Sequence, residues 1–229
     1  MSISIEEKET MRNVFNAIRL DYYTIRGYYK IYIPAVYMLA TLLGLLTQPG
    51  LIIAIVMIFS AFASGNVFSI DEKNRLNKLY GILPLGRFET VAGRYLYALL
   101  FGVINEVVSG SIVYSISHFT SKEMNQVAFI AYLCASFLYF CLAVSVLFPV
   151  FFKFSFSKSF VIALVPLYII FSVPVLLTRN ETSLNNIKLI IQYFASHPNM
   201  IWITGIGSGF ILLAVSCSLS CLIYRKKEL

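Results

Sequence analysis

Glu106 carries the strongest chemical signal in the sequence, because it is a carboxyl group near the middle of an apolar run, with Asn105 beside it. An ionisable side chain at the bilayer centre costs about 2.5–3.5 kcal/mol, and such side chains normally face a bundle interior or an aqueous cavity. Glu106 therefore either joins helices by hydrogen bonding to a Ser or Tyr, or lines a cavity. Both interpretations stay open, and in the second one Asn105 and Glu106 are candidate residues of a path through the bundle.

Two short motifs have the form of catalytic ones but lack the residues that the chemistry needs. The stretch 81–88 (GILPLGRF) has the glycine spacing of a phosphate-binding loop without the Lys and Ser/Thr that contact phosphate and Mg²⁺. The stretch 207–209 (GSG) has the form of a serine nucleophile turn, but His118 and His197 are predicted at the outer membrane boundary or in a loop. We therefore assign no catalytic residue and do not expect the chain to be an enzyme by itself.

Two pairs with i,i+4 spacing lie in the last apolar run. Cys217 and Cys221 form the first pair, but no His or carboxylate lies near them in sequence to complete a metal-ligand set, so we predict no metal site. Gly205 and Gly209 form the second pair. Small residues at this spacing predict a helix face that another helix approaches closely, so we take them as helix-packing residues.

The composition indicates that these residues belong to a membrane protein. The chain has 229 residues, of which 59% are hydrophobic and 13% charged, whereas soluble domains have roughly 45–50% apolar and about 25% charged residues. Six apolar runs are long enough to cross a bilayer as helices. These predicted spans are residues 28–46, 51–69, 94–117, 126–152, 159–177 and 200–224. The prediction is an all-α membrane protein with one transmembrane domain over residues 1–229.

The distribution of charge predicts the orientation of the spans. The formal net charge is +7, and of the 18 Lys and Arg residues all but Lys122, Arg179 and Lys188 fall on one side of the predicted spans. The positive-inside rule places that side, and with it both termini, in the cytoplasm. Topology thus accounts for the basic excess, and since no aromatic–basic recognition motif accompanies it we predict no nucleic-acid partner.

The pattern of apolar and basic positions in residues 1–27 predicts an amphipathic helix that lies at the cytoplasmic headgroups before the first span. Its apolar positions are Met11, Val14, Phe15, Ile18, Tyr22 and Ile25. Arg12, Arg19 and Arg26 share another face, which suits contact with anionic lipid, so membrane lipid is an expected partner. A soluble coiled-coil arm is the alternative interpretation.

The cytoplasmic loop after the second span is longer than a tether requires. A polar, helix-competent stretch runs from Asp71 to Tyr80, with a stop signal at Pro84. The apolar residues on one side of this stretch are Leu76, Leu79 and Tyr80. We predict a short helix between the second and third spans that projects below the bilayer and docks a partner. A solvated loop whose charges only fix topology is the alternative.

Two clusters of residues flank this loop and carry a resemblance to a known family. They are Asp71, Glu72, Lys73 and Asn74 after the second span, and Leu83, Pro84 and Arg87 before the third. In this order within a six-span layout, they resemble the membrane subunit of ABC transporters of the ABC-2 type, which include bacterial drug, bacteriocin and phenol-soluble modulin exporters. Gly86 departs from the pattern, since relatives often carry Ser there.

The resemblance implies a permease whose transport is driven by ATP hydrolysis on a separate subunit. The loop helix would couple to a separate ATPase. The complex would contain two ATPase subunits and a second permease chain, which would be identical or paralogous to this one. ATP and Mg²⁺ would bind the ATPase, with no cofactor on this chain. The implied location is the plasma membrane of a bacterium or archaeon, as a multi-pass protein. The coupling residues would be Asp71, Glu72, Lys73, Asn74, Leu76, Leu79, Tyr80, Pro84 and Arg87.

The expected function is therefore export driven by ATP hydrolysis on another subunit. An apolar, Tyr- and Phe-rich bundle with almost no internal charge favours an amphipathic peptide or a lipophilic drug over a sugar or an ion. Two other classes stay open at this point: a non-transport immunity or sensor protein, and an intramembrane enzyme.

Overall fold

A computed structural model describes residues 5–74, 86–119, 125–154, 156, 159, 168 and 198–226 of the chain. Within these ranges the regular elements are long helices, and no β-strand occurs among them. The helices are α1 (Ile5–Leu46), α2 (Gly50–Asn74), α3 (Arg87–Phe119), α4 (Gln126–Lys153) and α5 (Pro198–Arg225). All 5 are long and apolar enough to cross a membrane. The predicted span at 159–177 lies outside the described residues, apart from Ser159 and Tyr168.

The helices extend beyond the apolar runs that predicted them, mainly at one end of the bundle. α3, for example, begins at Arg87, whereas the predicted span begins at residue 94. The reason is physical: an apolar run marks the part of a helix that lies in hydrocarbon, while the backbone hydrogen bonds of the helix continue wherever no Pro or Gly interrupts them.

The N-terminal segment differs from its prediction. Instead of an interfacial helix over residues 1–27 followed by a separate span, α1 runs without a break for 42 residues and includes Pro34. The change from amphipathic to apolar sequence alters what the helix faces and does not interrupt its backbone. Phe15 is 67% exposed, whereas Ile25 is fully buried, so the apolar positions of this segment are divided between the bundle and its surroundings.

α1 and α3 lie side by side and run in the same direction. At the first turn of α3 the Asn13 amide of α1 donates to the Glu89 carboxylate at 3.2 Å. Further along, the Tyr37 hydroxyl donates to the Asn105 side-chain oxygen at 3.0 Å. α2 returns between them after a tight turn and packs against both helices.

The main core lies where α4 packs against α2 and α5. Large buried side chains fill it, among them Phe140 and Phe148 from α4 and Ile52 and Met57 from α2. Inside a bilayer the surrounding lipid is as apolar as these side chains, so close packing and hydrogen bonding, rather than the hydrophobic effect, hold the helices together.

Candidate functional site

α3 directs Asn105 and Glu106 to different neighbours, because successive residues of a helix are about 100° apart around its axis. Asn105 is 6% exposed and faces α1, where it accepts the hydrogen bond from Tyr37. Glu106 faces α4, and its Oε1 accepts a hydrogen bond from the Ser136 hydroxyl at 2.8 Å. The two residues that the sequence analysis placed on one path therefore contact different helices in the structure.

A cavity of about 600 Å³, which we call the Glu106 groove, lies between α3, α4 and α5. Its lining includes Glu106, Gly110 and Tyr114 of α3, Phe129 and Phe137 of α4, and Trp202 and Phe210 of α5. Asn105 is not among the described residues that line it. The groove runs from Glu106 toward the ends of the three helices that the predicted topology places outside.

The electrostatics of the Glu106 groove depend on one carboxyl group. Among the described residues, Glu106 is the only acidic or basic residue in the lining. Its Oε2 is buried and has no hydrogen-bond partner within the described part of the chain. Ser136 holds the carboxyl group through Oε1, and Glu106 supplies the acidic side chain of the groove lining.

Gly205 and Gly209 lie against α4 of the same chain. A Cβ atom added at Gly205 would be 2.9 Å from the Cβ of Cys134, and one added at Gly209 would be 3.0 Å from the sulfur of Cys141. The glycines therefore allow α5 to approach α4 closely and bring its aromatic side chains to the wall of the groove.

A buried ion pair lies at the base of the loop between α2 and α3, and sequence reasoning did not find it. Arg94 of α3 pairs with Asp71 of α2, and the two residues are 7% and 4% exposed. The Arg94 guanidinium also lies over the ring of Phe68, at 4.4 Å from its centroid. A cation over an aromatic face is attracted by the ring quadrupole. A base just inside one span, facing an acid at the end of the preceding span, is the sequence signal that could have predicted this pair.

The predicted coupling residues are distributed over three places. Asp71, Glu72, Lys73 and Asn74 form the last turn of α2 rather than the start of a separate projecting helix. Asp71 faces the bundle, while Lys73 and Asn74 are exposed. The predicted coupling residues Leu76, Leu79, Tyr80 and Pro84 lie outside the described residues.

Arg87 is the first residue of α3, and its guanidinium donates to the carbonyl oxygen of Arg225 at 2.6 Å. Helix C-termini carry carbonyl groups without intrahelical partners, and a basic side chain satisfies them. The end of the loop is therefore attached to the end of α5.

The Glu89 carboxylate fixes the start of α3. Its Oε2 accepts the Gly86 backbone N–H at 2.8 Å, which is one half of a capping box, and its Oε1 accepts the Asn13 amide of α1. In such a box a Ser at the Gly86 position would supply the other half.

Within the described part of the chain, no group of three or more His, Cys, Asp or Glu residues is placed to hold a metal ion.

Comparison with known proteins identifies a family. The sequence profile described as ABC-2 family transporter protein matches residues 16–225, which is most of the chain. No curated protein and no solved structure matched. The resemblance noted from the loop residues is thereby confirmed at the level of the family.

Proposed function

Because the chain belongs to the ABC-2 family of transporter proteins, we propose that it is the transmembrane subunit of an ATP-binding cassette exporter. The family match across residues 16–225 carries the proposal, and the long apolar helices support it. The stretch 81–88 lacks the Lys and Ser/Thr of a phosphate-binding loop, so ATP and Mg²⁺ bind a separate ATPase subunit in this proposal. The complex contains two ATPases and a second permease chain in the plasma membrane of a bacterium or archaeon.

The connection between α2 and α3 is the part of the chain that receives the ATPase in this proposal. Its two ends are attached to the bundle by the Asp71–Arg94 ion pair and by the Arg87 contact to α5. A loop with anchored ends transmits a displacement to the helices instead of absorbing it. Asp71 and Arg87 then act as anchors, and the exposed residues Lys73 and Asn74 are available for docking.

The Glu106 groove supports an amphipathic peptide or a lipophilic drug as the exported substrate. Ligand sites are typically cavities of about 300–1,000 Å³ with mostly apolar lining and a few polar groups, and the groove has this size and character. The second permease chain encloses the path in this proposal.

Native mass spectrometry of the complex purified through a tag on this chain tests the proposal. We expect two membrane chains and two ATPase subunits. Glu72→Ala and Leu76→Arg change the predicted docking surface and should lower the yield of ATPase, whereas Lys122→Ala, on the predicted outer side, should not. A stable complex with one membrane chain and no ATPase contradicts the proposal.

A further inference from the structure

We propose that the Glu106 groove binds a drug-sized lipophilic monocation, with the Glu106 carboxylate as its counter-ion. This inference rests on the proposed function in one respect, since it makes the groove a substrate site of the exporter. It goes further by naming one charge and one size class.

The charge of the ligand follows from the carboxyl group. Glu106 is the only acidic or basic lining residue among those described, and its Oε2 has no hydrogen-bond partner there. A carboxylate in apolar surroundings is costly unless it is paired. A cationic ligand in the groove compensates the charge of the carboxylate, whereas an anion is repelled and a neutral ligand leaves that charge uncompensated.

The aromatic lining of the groove indicates that the rest of the ligand is apolar. Aromatic side chains line the groove from two helices, with Phe129 and Phe137 on α4 and Trp202 and Phe210 on α5, and Tyr114 adds another ring from α3. Aromatic faces attract cations and pack against apolar groups, as in sites for quaternary ammonium ligands.

The size class follows from the volume and openness of the groove. A cavity of about 600 Å³ accommodates a drug-sized molecule. Tyr114 is 68% exposed and Val107 is 63% exposed, so the groove opens at the side of the bundle as well as along it. A lipophilic cation already dissolved in the membrane reaches Glu106 by this lateral opening.

The test uses Trp202, which lines the groove and is the single tryptophan of the chain. Its fluorescence is followed in the full-length chain in lipid nanodiscs while a nitroxide-labelled dodecylammonium is added, because the nitroxide quenches tryptophan at contact range. The uncharged nitroxide-labelled dodecanol is the matched probe. We expect saturable quenching by the cation and weaker quenching by the alcohol.

Variants connect the signal to the carboxyl group. Glu106→Gln keeps the acceptor for Ser136 and should weaken cation binding about tenfold, or about 1.4 kcal/mol, without changing the binding of the alcohol. Glu106→Asp should retain the preference for the cation. Gly110→Leu should reduce quenching by both probes, because the added side chain projects beside Leu133 and Phe129 into the groove. Glu123→Gln removes the same charge between α3 and α4 and serves as the control.

Each outcome decides the inference. Equal binding of the two probes by the wild-type chain, as expected if a lipid acyl chain fills the groove, overturns it. Cation binding that survives in Glu106→Gln also overturns it. If Glu106→Gln does not fold, loss of the cation preference in Glu106→Asp overturns it and retention supports it. The assay needs neither ATP nor the ATPase, so its failure leaves the exporter assignment standing, and failure of the mass-spectrometric test leaves this result standing.

Discussion

Arg94 of α3 forms an ion pair with Asp71 of α2, and both side chains are buried at the base of the connection between the two helices. The Phe68 and Phe152 rings flank the guanidinium, at 4.4 and 5.6 Å from the ring centroids. The pair therefore joins two helices at the point from which the predicted docking loop leaves the bundle. In our proposal the pair is a structural anchor, and the docking surface for the ATPase consists of residues outside the pair.

Breaking this ion pair should destabilise the fold. Asp71→Asn removes the negative charge that pairs with Arg94, and removal of one partner of a buried pair costs about 3–5 kcal/mol. Arg94→Lys should also destabilise, because an ammonium group does not reproduce the planar contacts of the guanidinium. Thermal unfolding in detergent measures both, with the exposed Lys73→Gln as control. Midpoints equal to that of the control would show that the pair contributes no stability.

Gly86→Ser should stabilise the start of α3. The Ser hydroxyl completes the capping box that Glu89 already half forms, and the loss of glycine flexibility adds about 0.4–1 kcal/mol. A Cβ atom at this position meets the Glu89 side chain at 3.4 Å, which leaves room for it. The unfolding midpoint should rise, and it should rise less in a Glu89→Ala background. A lower midpoint in the single variant argues against the capping geometry.

The glycines of α5 offer a matched pair of substitutions. Gly205→Ala places a methyl group 2.9 Å from the Cβ of Cys134 and should destabilise by about 1–3 kcal/mol through overpacking. Gly207→Ala meets nothing within 4 Å and should be neutral or stabilising by up to about 1 kcal/mol, since alanine favours helix. The comparison of their unfolding midpoints tests the packing of α5 on α4, and the reverse order contradicts it.

Substitutions at Asn105 and at Glu106 should have different effects on stability and on probe binding, although the two residues are adjacent in sequence. Asn105→Ala removes the acceptor of the Tyr37 hydroxyl and should lower stability by about 1–3 kcal/mol. It should not alter quenching of Trp202 by the alkylammonium probe, because Asn105 faces α1. A loss of probe binding in folded Asn105→Ala would place this residue in the ligand site.

The sequence predicted the helical membrane character, because long apolar runs have few other folds available in lipid. The bounds of α4 and α5 lie within two residues of the predicted spans, whereas α1, α2 and α3 extend beyond theirs. The continuity of α1 could not be predicted from polarity, since a change from amphipathic to apolar sequence leaves the backbone hydrogen bonds of a helix intact. The orientation of the bundle in the membrane stays a prediction.

The candidate site was predicted less completely, because helix rotation decides which neighbour a side chain meets. Two interpretations of Glu106 were open, and the structure combines features of both: a hydrogen bond to Ser136 and a place in the groove. Ser136 lies near the middle of its span, as Glu106 does, so depth matching in an antiparallel pair could have suggested that contact. Asp71 was assigned to docking because it begins the polar stretch that ends at Tyr80 and belongs to the cluster that carries the family resemblance. Sequence alone does not separate a paired charge from a solvated one.

ATP-dependent transport in proteoliposomes tests the central claim most directly. The purified complex of this chain with its ATPase is reconstituted into proteoliposomes, and ATP is added outside. Only complexes in the inside-out orientation, with the ATPase on the outer surface, use this ATP, and their export is measured as uptake of the nitroxide-labelled alkylammonium into the vesicle. Our account predicts uptake that requires ATP, the ATPase and this chain together, and that falls in Glu106→Gln at matched protein levels. Equal uptake with and without ATP, or with and without this chain, would contradict it.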